Sequence, residues 1–173
     1  MKDYVDSIAI NLQTMGNLDP ARSVVNEAAA AAFAALNVKD GDTVDIPYNV
    51  ADIIKNLGID IQSSINENGY TIDDVGVIFY VKDYITGQEN SKIKERLAHL
   101  LAVYLLDDFQ EEYNDKTFEL NQKQIVFVQM FILTLLAPDL DPYSAITPAE
   151  SILLSRQYEI PIHILKSLMK IKI

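Results

Sequence analysis

Apolar residues recur at every third or fourth position along much of the chain, which is the spacing of an amphipathic helix. Residues 3–16 follow this spacing and predict a first helix. Residues 21–38 are rich in alanine, the best helix former, and Asp19 with Pro20 offers a cap and a first helical position. Residues 50–57 repeat the apolar spacing. Three helices are therefore predicted before the first strand.

A different pattern, typical of strands, covers residues 58–87. Gly58 can end the preceding helix in the left-handed conformation. Residues 59–62, IDIQ, alternate apolar and polar side chains, and residues 75–81, VGVIFYV, are rich in β-branched and aromatic side chains. Residues 82–88 predict either a hairpin partner or a loop. The segment as a whole predicts a small antiparallel sheet of two or three strands.

The second half of the chain returns to helical patterns. Residues 92–106, KIKERLAHLLAVYLL, are apolar nearly all round, which is typical of a central, buried helix, and Ser91 can cap it. An acidic connector follows over residues 107–120. The last helix is predicted from near Pro161 to near Lys170.

Two capping motifs predict where the intervening helices start. Asn121 and Gln124 can form a capping box for a second buried helix, which should end about fifteen residues later. Thr147, Pro148 and Glu150 supply a cap, a first helical position and a box partner for the next helix. Because helices dominate and the strands are confined to one segment, the pattern indicates a mainly helical α+β fold.

Composition and charge limit the classes of function. The 173 residues are 49% hydrophobic, which is enough for the core of one domain, and the absence of cysteine excludes disulfides and thiolate metal sites. The N-terminus lacks a signal-peptide pattern, and the longest apolar run, residues 125–138, is shorter than the ~20 residues that span a bilayer. We therefore expect a soluble, cytoplasmic protein that binds no membrane. The net charge of −11 disfavours direct nucleic-acid binding and suits a basic protein partner.

The helix predicted at residues 92–106 carries part of a zinc-peptidase motif. In H-E-x-x-H, two histidines one helical turn apart bind zinc, and the glutamate is the base for the metal-bound water. His99 matches the first histidine, whereas Leu100 stands at the glutamate position and Val103 at the second histidine position. A leucine cannot accept a proton and a valine cannot bind a metal, so the motif predicts no catalytic or metal-binding residues here.

The order of these segments resembles the ImmA/IrrE family of metallopeptidase-like proteins, which occurs in bacterial stress regulators, phages and mobile elements. The resemblance covers about residues 23–170. It is carried by residues 46–62, 75–81, 92–106, 125–138 and 150–171. It implies a zincin-like minimal domain over residues 23–173, preceded by an N-terminal helical extension over residues 1–22.

The resemblance also implies that the activity of the family is lost in this chain. In the family, the third zinc ligand is a glutamate early in the following helix, and in this sequence that position falls near Ile125. With Leu100, Val103 and Ile125 in place, one ligand of three remains and the base is missing. The expectation is a catalytically inactive pseudo-peptidase without a cofactor. Because family members cut or control a repressor encoded beside them, we expect protein–protein binding, with a basic DNA-binding regulator of a phage or mobile element as a candidate partner.

Two other interpretations of His99 stay open. It can be a core histidine whose ring nitrogens bond to neighbouring groups. Alternatively, Glu95 lies one helical turn before it, and Glu95, His99 and Asp108 could form a relocated metal site. This alternative predicts a metal-binding peptidase.

The C-terminal helix pair at residues 150–171 offers a further alternative. Two short helices joined by a tight turn can form a helix-turn-helix, which predicts a DNA-binding regulator. His163, near the start of the second helix, is expected to be partly exposed. The basic residues that could contact DNA are Arg156, Lys166, Lys170 and Lys172.

A homodimer through the alanine-rich helix or the apolar C-terminal segment is also left open.

Overall fold

The computed structural model describes residues 20–36, 49–106, 111–140 and 146–171. The helix predicted over residues 3–16, the cap residue Asp19 and the proposed ligand Asp108 lie outside these ranges. No helix in the described ranges is both long enough and apolar enough to cross a membrane.

The described residues form a mixed α/β structure in which helices dominate, in agreement with the predicted class. Helices α1 to α6 span Pro20–Leu36, Val50–Asn56, Ser91–Leu105, Gln122–Leu136, Pro148–Tyr158 and Ile162–Ile171. Strands β1 to β4 span Asp60–Ser64, Gly69–Ile72, Val77–Lys82 and Glu112–Asn114.

The sheet is mixed, so the prediction of an antiparallel sheet is wrong for one pair of strands. Its strand order is β1-β3-β2-β4. Strands β2 and β3 form an antiparallel hairpin, in which Tyr70 pairs with Phe79. Strand β3 lies between β1 and β2, and it runs parallel to β1 with Ile61 opposite Phe79. Alternation of side chains shows which face of a strand is buried, but it does not show on which side of the hairpin a preceding strand will pair.

Strand β4 lies in the segment that was predicted to be an acidic connector. It pairs antiparallel to β2, with Tyr113 opposite Tyr70. The two backbones approach so closely at Gly69 that a Cβ atom there would lie 2.3 Å from the carbonyl oxygen of Tyr113. The segment 82–88 forms a turn with one isolated bridge between Ile85 and Gln88, so the loop interpretation of this segment is the better one.

Both predicted capping boxes are confirmed. The Asn121 side chain accepts a hydrogen bond from the backbone N–H of Gln124 at 2.9 Å, and the Gln124 side chain accepts one from the backbone N–H of Asn121 at 2.9 Å. Thr147 and Glu150 form the same reciprocal pair, with Pro148 as the first residue of α5. Each box satisfies backbone donors that the first helical turn leaves without partners.

Two other helix ends test the predicted boundaries. Gly58 has a φ of 78°, which confirms the left-handed residue expected after α2. The cap of α3 is Asn90 rather than the predicted Ser91, because the Asn90 side chain accepts a 3.0 Å bond from Ile93 N–H. Ser91 is the first helical residue. Asn and Ser are comparably good caps, so two adjacent candidates cannot be ranked from sequence.

Helix α3 is central to the core. It packs against α2, α4 and strand β3, and α1 packs along α4 through its small alanine side chains. Helix α1 begins at Pro20, so the predicted domain boundary between residues 22 and 23 falls within its first turn. The largest side chains with almost no exposure are Tyr70, Phe79, Phe131, Ile54, Leu97, Leu100, Leu101, Met130, Leu133, Leu135, Ile160 and Ile164.

Candidate functional site

The positions of the degenerate zinc motif lie on the buried helix α3. Leu100 is 0% exposed and Val103 is 2% exposed, and both belong to the hydrophobic core. Ile125 lies in the first turn of α4 and is half-buried. All three side chains are hydrocarbons, so they contribute packing and no donor atoms. The residues at these positions do not fit a catalytic zinc ion, which requires three protein ligands in fixed geometry.

His99, the remaining motif residue, is bound by a tyrosine from β4. Its Nε2 atom lies 3.1 Å from the hydroxyl oxygen of Tyr113, and either atom can donate this hydrogen bond, depending on the imidazole tautomer. Burial lowers the pKa of His99, and the nearby carboxylate of Asp115 opposes this in part. Burial and Asp115 together raise the pKa of Tyr113 to about 12. The pair is therefore a neutral imidazole and a neutral phenol at pH 7. His99 is half-buried and outside the hydrophobic core, but its ring nitrogen bonds to a neighbouring side chain, as the interpretation of a structural histidine expects.

The His99–Tyr113 pair lies at the edge of an aromatic cluster between α3 and the sheet. Tyr113 stacks on Tyr70 with ring centroids 5.5 Å apart, and it contacts Phe118 edge-on at 5.6 Å. Tyr104, five residues after His99 on α3, contacts Tyr70 edge-on at 5.9 Å. Stacked and edge-on aromatic pairs contribute about 0.5–1.5 kcal/mol each beyond area burial. Tyr113 thus fastens the short strand β4 to both β2 and α3.

The lowered pKa of His99 predicts a pH dependence of stability. An unfolded histidine binds a proton below about pH 6.5, whereas the folded His99 resists protonation to lower pH. The free energy of unfolding should therefore fall as the pH drops below about 6.5, by up to about 1.4 kcal/mol per pH unit from this residue alone. In His99→Gln this contribution to the pH dependence of the free energy of unfolding should disappear. Urea unfolding between pH 7 and pH 5 measures it.

His163→Gln, at an exposed histidine, is the matched control for the loss of one histidine. If His99→Gln keeps the full slope of the unchanged protein, the depressed pKa of His99 is not the source of the pH dependence.

Glu95, the first residue of the alternative metal site, contacts a different histidine. Its Oε1 atom lies 2.8 Å from Nε2 of His163, which is on α6. Sequence spacing placed Glu95 one turn before His99, but the side chain extends toward the C-terminal helices. Asp108 lies outside the described residues. Within the part of the chain that the structure describes, no three His, Asp or Glu side chains group closely enough to hold a metal ion.

Three consecutive charged residues of α3 each contact a different element. Lys94, almost fully buried, forms an ion pair with Glu159 in the turn between α5 and α6. Glu95 contacts α6, as described above. Arg96 donates a 2.6 Å hydrogen bond to the carbonyl oxygen of Lys82 at the end of β3. Sequence reasoning missed these contacts. The signal available to it was the run of three charges in a helix that is otherwise apolar nearly all round.

The second C-terminal helix, α6, packs into the core with its apolar side chains. Ile164 and Leu165 of α6 are 2% and 0% exposed, and α6 packs against α4. Arg156 and Lys166 are exposed, whereas the side chains of Lys170 and Lys172 lie outside the description. Since a recognition helix presents its polar residues to DNA, the burial of these two apolar side chains leaves only the opposite face of α6 for such a role.

The sequence matches no family model and no curated protein.

Proposed function

We propose that this protein is a catalytically inactive ImmA/IrrE-like protein that acts by protein–protein binding. The proposal includes a zincin-like minimal domain, supported by the order of three strands, a central helix with His99, and a second buried helix. It also includes a cytoplasmic location, because a repressor bound to DNA is found there.

The observation that carries the proposal is the environment of His99. In a zinc peptidase the corresponding ring nitrogen binds the metal, and a carboxylate beside it takes the proton from the bound water. Here the Nε2 atom is hydrogen-bonded to Tyr113, and the next residue is the fully buried Leu100. The Tyr113 hydroxyl bonds to the ring nitrogen that would otherwise face a metal, and a leucine stands at the base position, so both observations support the loss of metal binding and of catalysis.

The charge of the protein supports a basic partner. The net charge is −11, and exposed carboxylates gather where strand β2 ends and strand β4 begins, at Asp73, Asp74, Glu111 and Glu112. Complementary charge raises the rate of encounter and suppresses wrong partners. A DNA-binding repressor carries the opposite charge on the surface that contacts phosphates. Binding of such a regulator without cleaving it is the function that this site supports best.

Metal content tests the loss of chemistry. Protein purified without a histidine tag should contain no zinc above background by elemental analysis, and it should take up none in near-stoichiometric amount when zinc is titrated in. His99→Ala is the matched control, because it removes the one remaining ligand of the motif. Near-stoichiometric zinc in the unchanged protein that is lost in His99→Ala would contradict the proposal.

A mixing experiment tests the binding. If the resemblance holds, a DNA-binding repressor is encoded beside the gene for this protein, and that repressor is the probe, mixed with the protein at low salt. A complex that elutes together from a sizing column, contains the repressor at its intact mass and weakens as salt is added is the expected result. A repressor cut at a defined position, or a repressor that never co-elutes even at low salt, overturns the proposal.

A further inference from the structure

Among the described residues, the two C-terminal helices form a unit that contacts the rest of the protein mainly through α6. We call helices α5 and α6 with the turn between them the strap. Helix α5 buries one side chain, Ser151, and exposes Ile152 and Leu153 by 46% and 65%. It packs against α6, which in turn packs against α4 through Ile164 and Leu165. Leu154 and Tyr158 of α5 are only partly buried against the core, so within the described residues the strap is held to the core mainly through α6.

A buried ion pair joins the strap to the central helix. The Lys94 side chain on α3 is 7% exposed, and its Nζ atom lies 2.5 Å from Oε2 of Glu159. Glu159 is the first of the three residues between α5 and α6, and it has a φ of 55°. This left-handed backbone is common for Gly, less common for Asn and Asp, and uncommon for other residues such as Glu. The strap thus holds a strained turn at the point where its carboxylate reaches the ammonium group.

Burial of Lys94 couples this ion pair to the docking of the strap. A buried ammonium group is costly unless a carboxylate accompanies it, whereas an exposed one is solvated by water. When the strap lies on the core, Lys94 depends on Glu159. When the strap leaves, the turn that covers Lys94 leaves with it, and water can reach the ammonium group. Loss of Glu159 therefore penalises the docked state more than the open state.

We propose that the strap is a conformational device that opens and closes as a unit, and that the Lys94–Glu159 pair is its latch. Opening separates Ile160, Ile164 and Leu165 from the core, so it uncovers apolar surface that the closed state hides. The Glu95–His163 pair on the next residue of α3 adds a weaker, more exposed contact. The latch lies on a different part of α3 from the zinc motif, so it does not depend on the loss of peptidase activity.

Hydrogen exchange measured by mass spectrometry tests the latch. In the full chain at neutral pH, Glu159→Gln should speed the exchange of amides in residues 148–166 by about 10- to 100-fold. The effect should not be larger, because Glu159 is half exposed and water already screens part of its attraction to Lys94. Amides in the middle of α4 should exchange at the unchanged rate. The matched control is Asp83→Asn, which removes the exposed Arg96–Asp83 pair at the other side of α3 and should leave the strap unaffected.

A double variant separates the latch from general damage. Lys94→Met together with Glu159→Gln removes both charges, and replacement of a buried pair by neutral groups is often tolerated. Amide hydrogen exchange in the strap should then slow again, toward the rate of the unchanged protein. Faster exchange that spreads equally through α3 and α4, no change in Glu159→Gln, or a double variant no slower than Glu159→Gln would each overturn the proposal.

Discussion

Leu100→Glu is expected to lower the free energy of unfolding by about 4 kcal/mol at pH 7. The substitution restores the glutamate of the zinc-peptidase motif, but Leu100 is 0% exposed and lies in the hydrophobic core. Burial of a carboxylate raises its pKa by up to about 3–5 units, and each unit corresponds to about 1.4 kcal/mol. A glutamate at position 100 is therefore expected to destabilise the fold.

The pH dependence identifies the cause of this loss. The carboxyl group that Leu100→Glu introduces would be buried, so its folded pKa would lie above its unfolded value and the folded state would bind the proton more tightly. The penalty should therefore shrink as the pH falls through the folded pKa. Urea unfolding at pH 7 and pH 5 measures this, relative to the unchanged protein at each pH.

Leu100→Met is the matched control, because it keeps the volume and adds no charge. It should cost less than about 1.5 kcal/mol at either pH. If Leu100→Glu is as stable as Leu100→Met at pH 7, residue 100 has access to water, and the environment of the motif differs from the buried core described above.

Much of the helical framework follows from local rules. The capping boxes at Asn121 and Thr147 were predicted because each involves residues only three apart, and such contacts form within one helical turn. The burial of α3 was predicted because a helix that is apolar on nearly all sides has no face that favours water. Gly58 was predicted for the same local reason, since it ends a helix in a conformation that glycine adopts without strain.

The candidate site was harder to predict because its contacts join distant parts of the chain. Tyr113 and His99 form a hydrogen bond although they are 14 residues apart in the sequence, and Lys94 and Glu159 form one although they are 65 residues apart. Strand β4 contains Glu and Asn, which are poor strand formers, so its pairing with β2 depends on packing rather than on propensity. Sequence showed that the zinc motif is incomplete around His99, but it did not show which group bonds to the His99 ring.

Tyr113→Ala is expected to lower the free energy of unfolding by about 3–5 kcal/mol, as for other large aromatic side chains removed from a core. Tyr113 is 5% exposed, stacks on Tyr70 and contacts both Phe118 and His99. Its loss leaves a cavity between β4 and α3 and removes the partner of the histidine. Chemical denaturation gives the total effect, and hydrogen exchange at the β2–β4 pairing shows where the structure loosens.

Tyr113→Phe divides this effect between packing and hydrogen bonding. It keeps the ring and removes only the hydroxyl that bonds to His99, so it should cost about 1 kcal/mol. A large loss in Tyr113→Ala with a small one in Tyr113→Phe means that the aromatic ring fastens β4, and that the hydrogen bond mainly satisfies the imidazole. Equal losses would mean that the hydroxyl contributes nearly all of the stabilisation. In that case the His99–Tyr113 bond, rather than the aromatic cluster, holds β4 against the central helix.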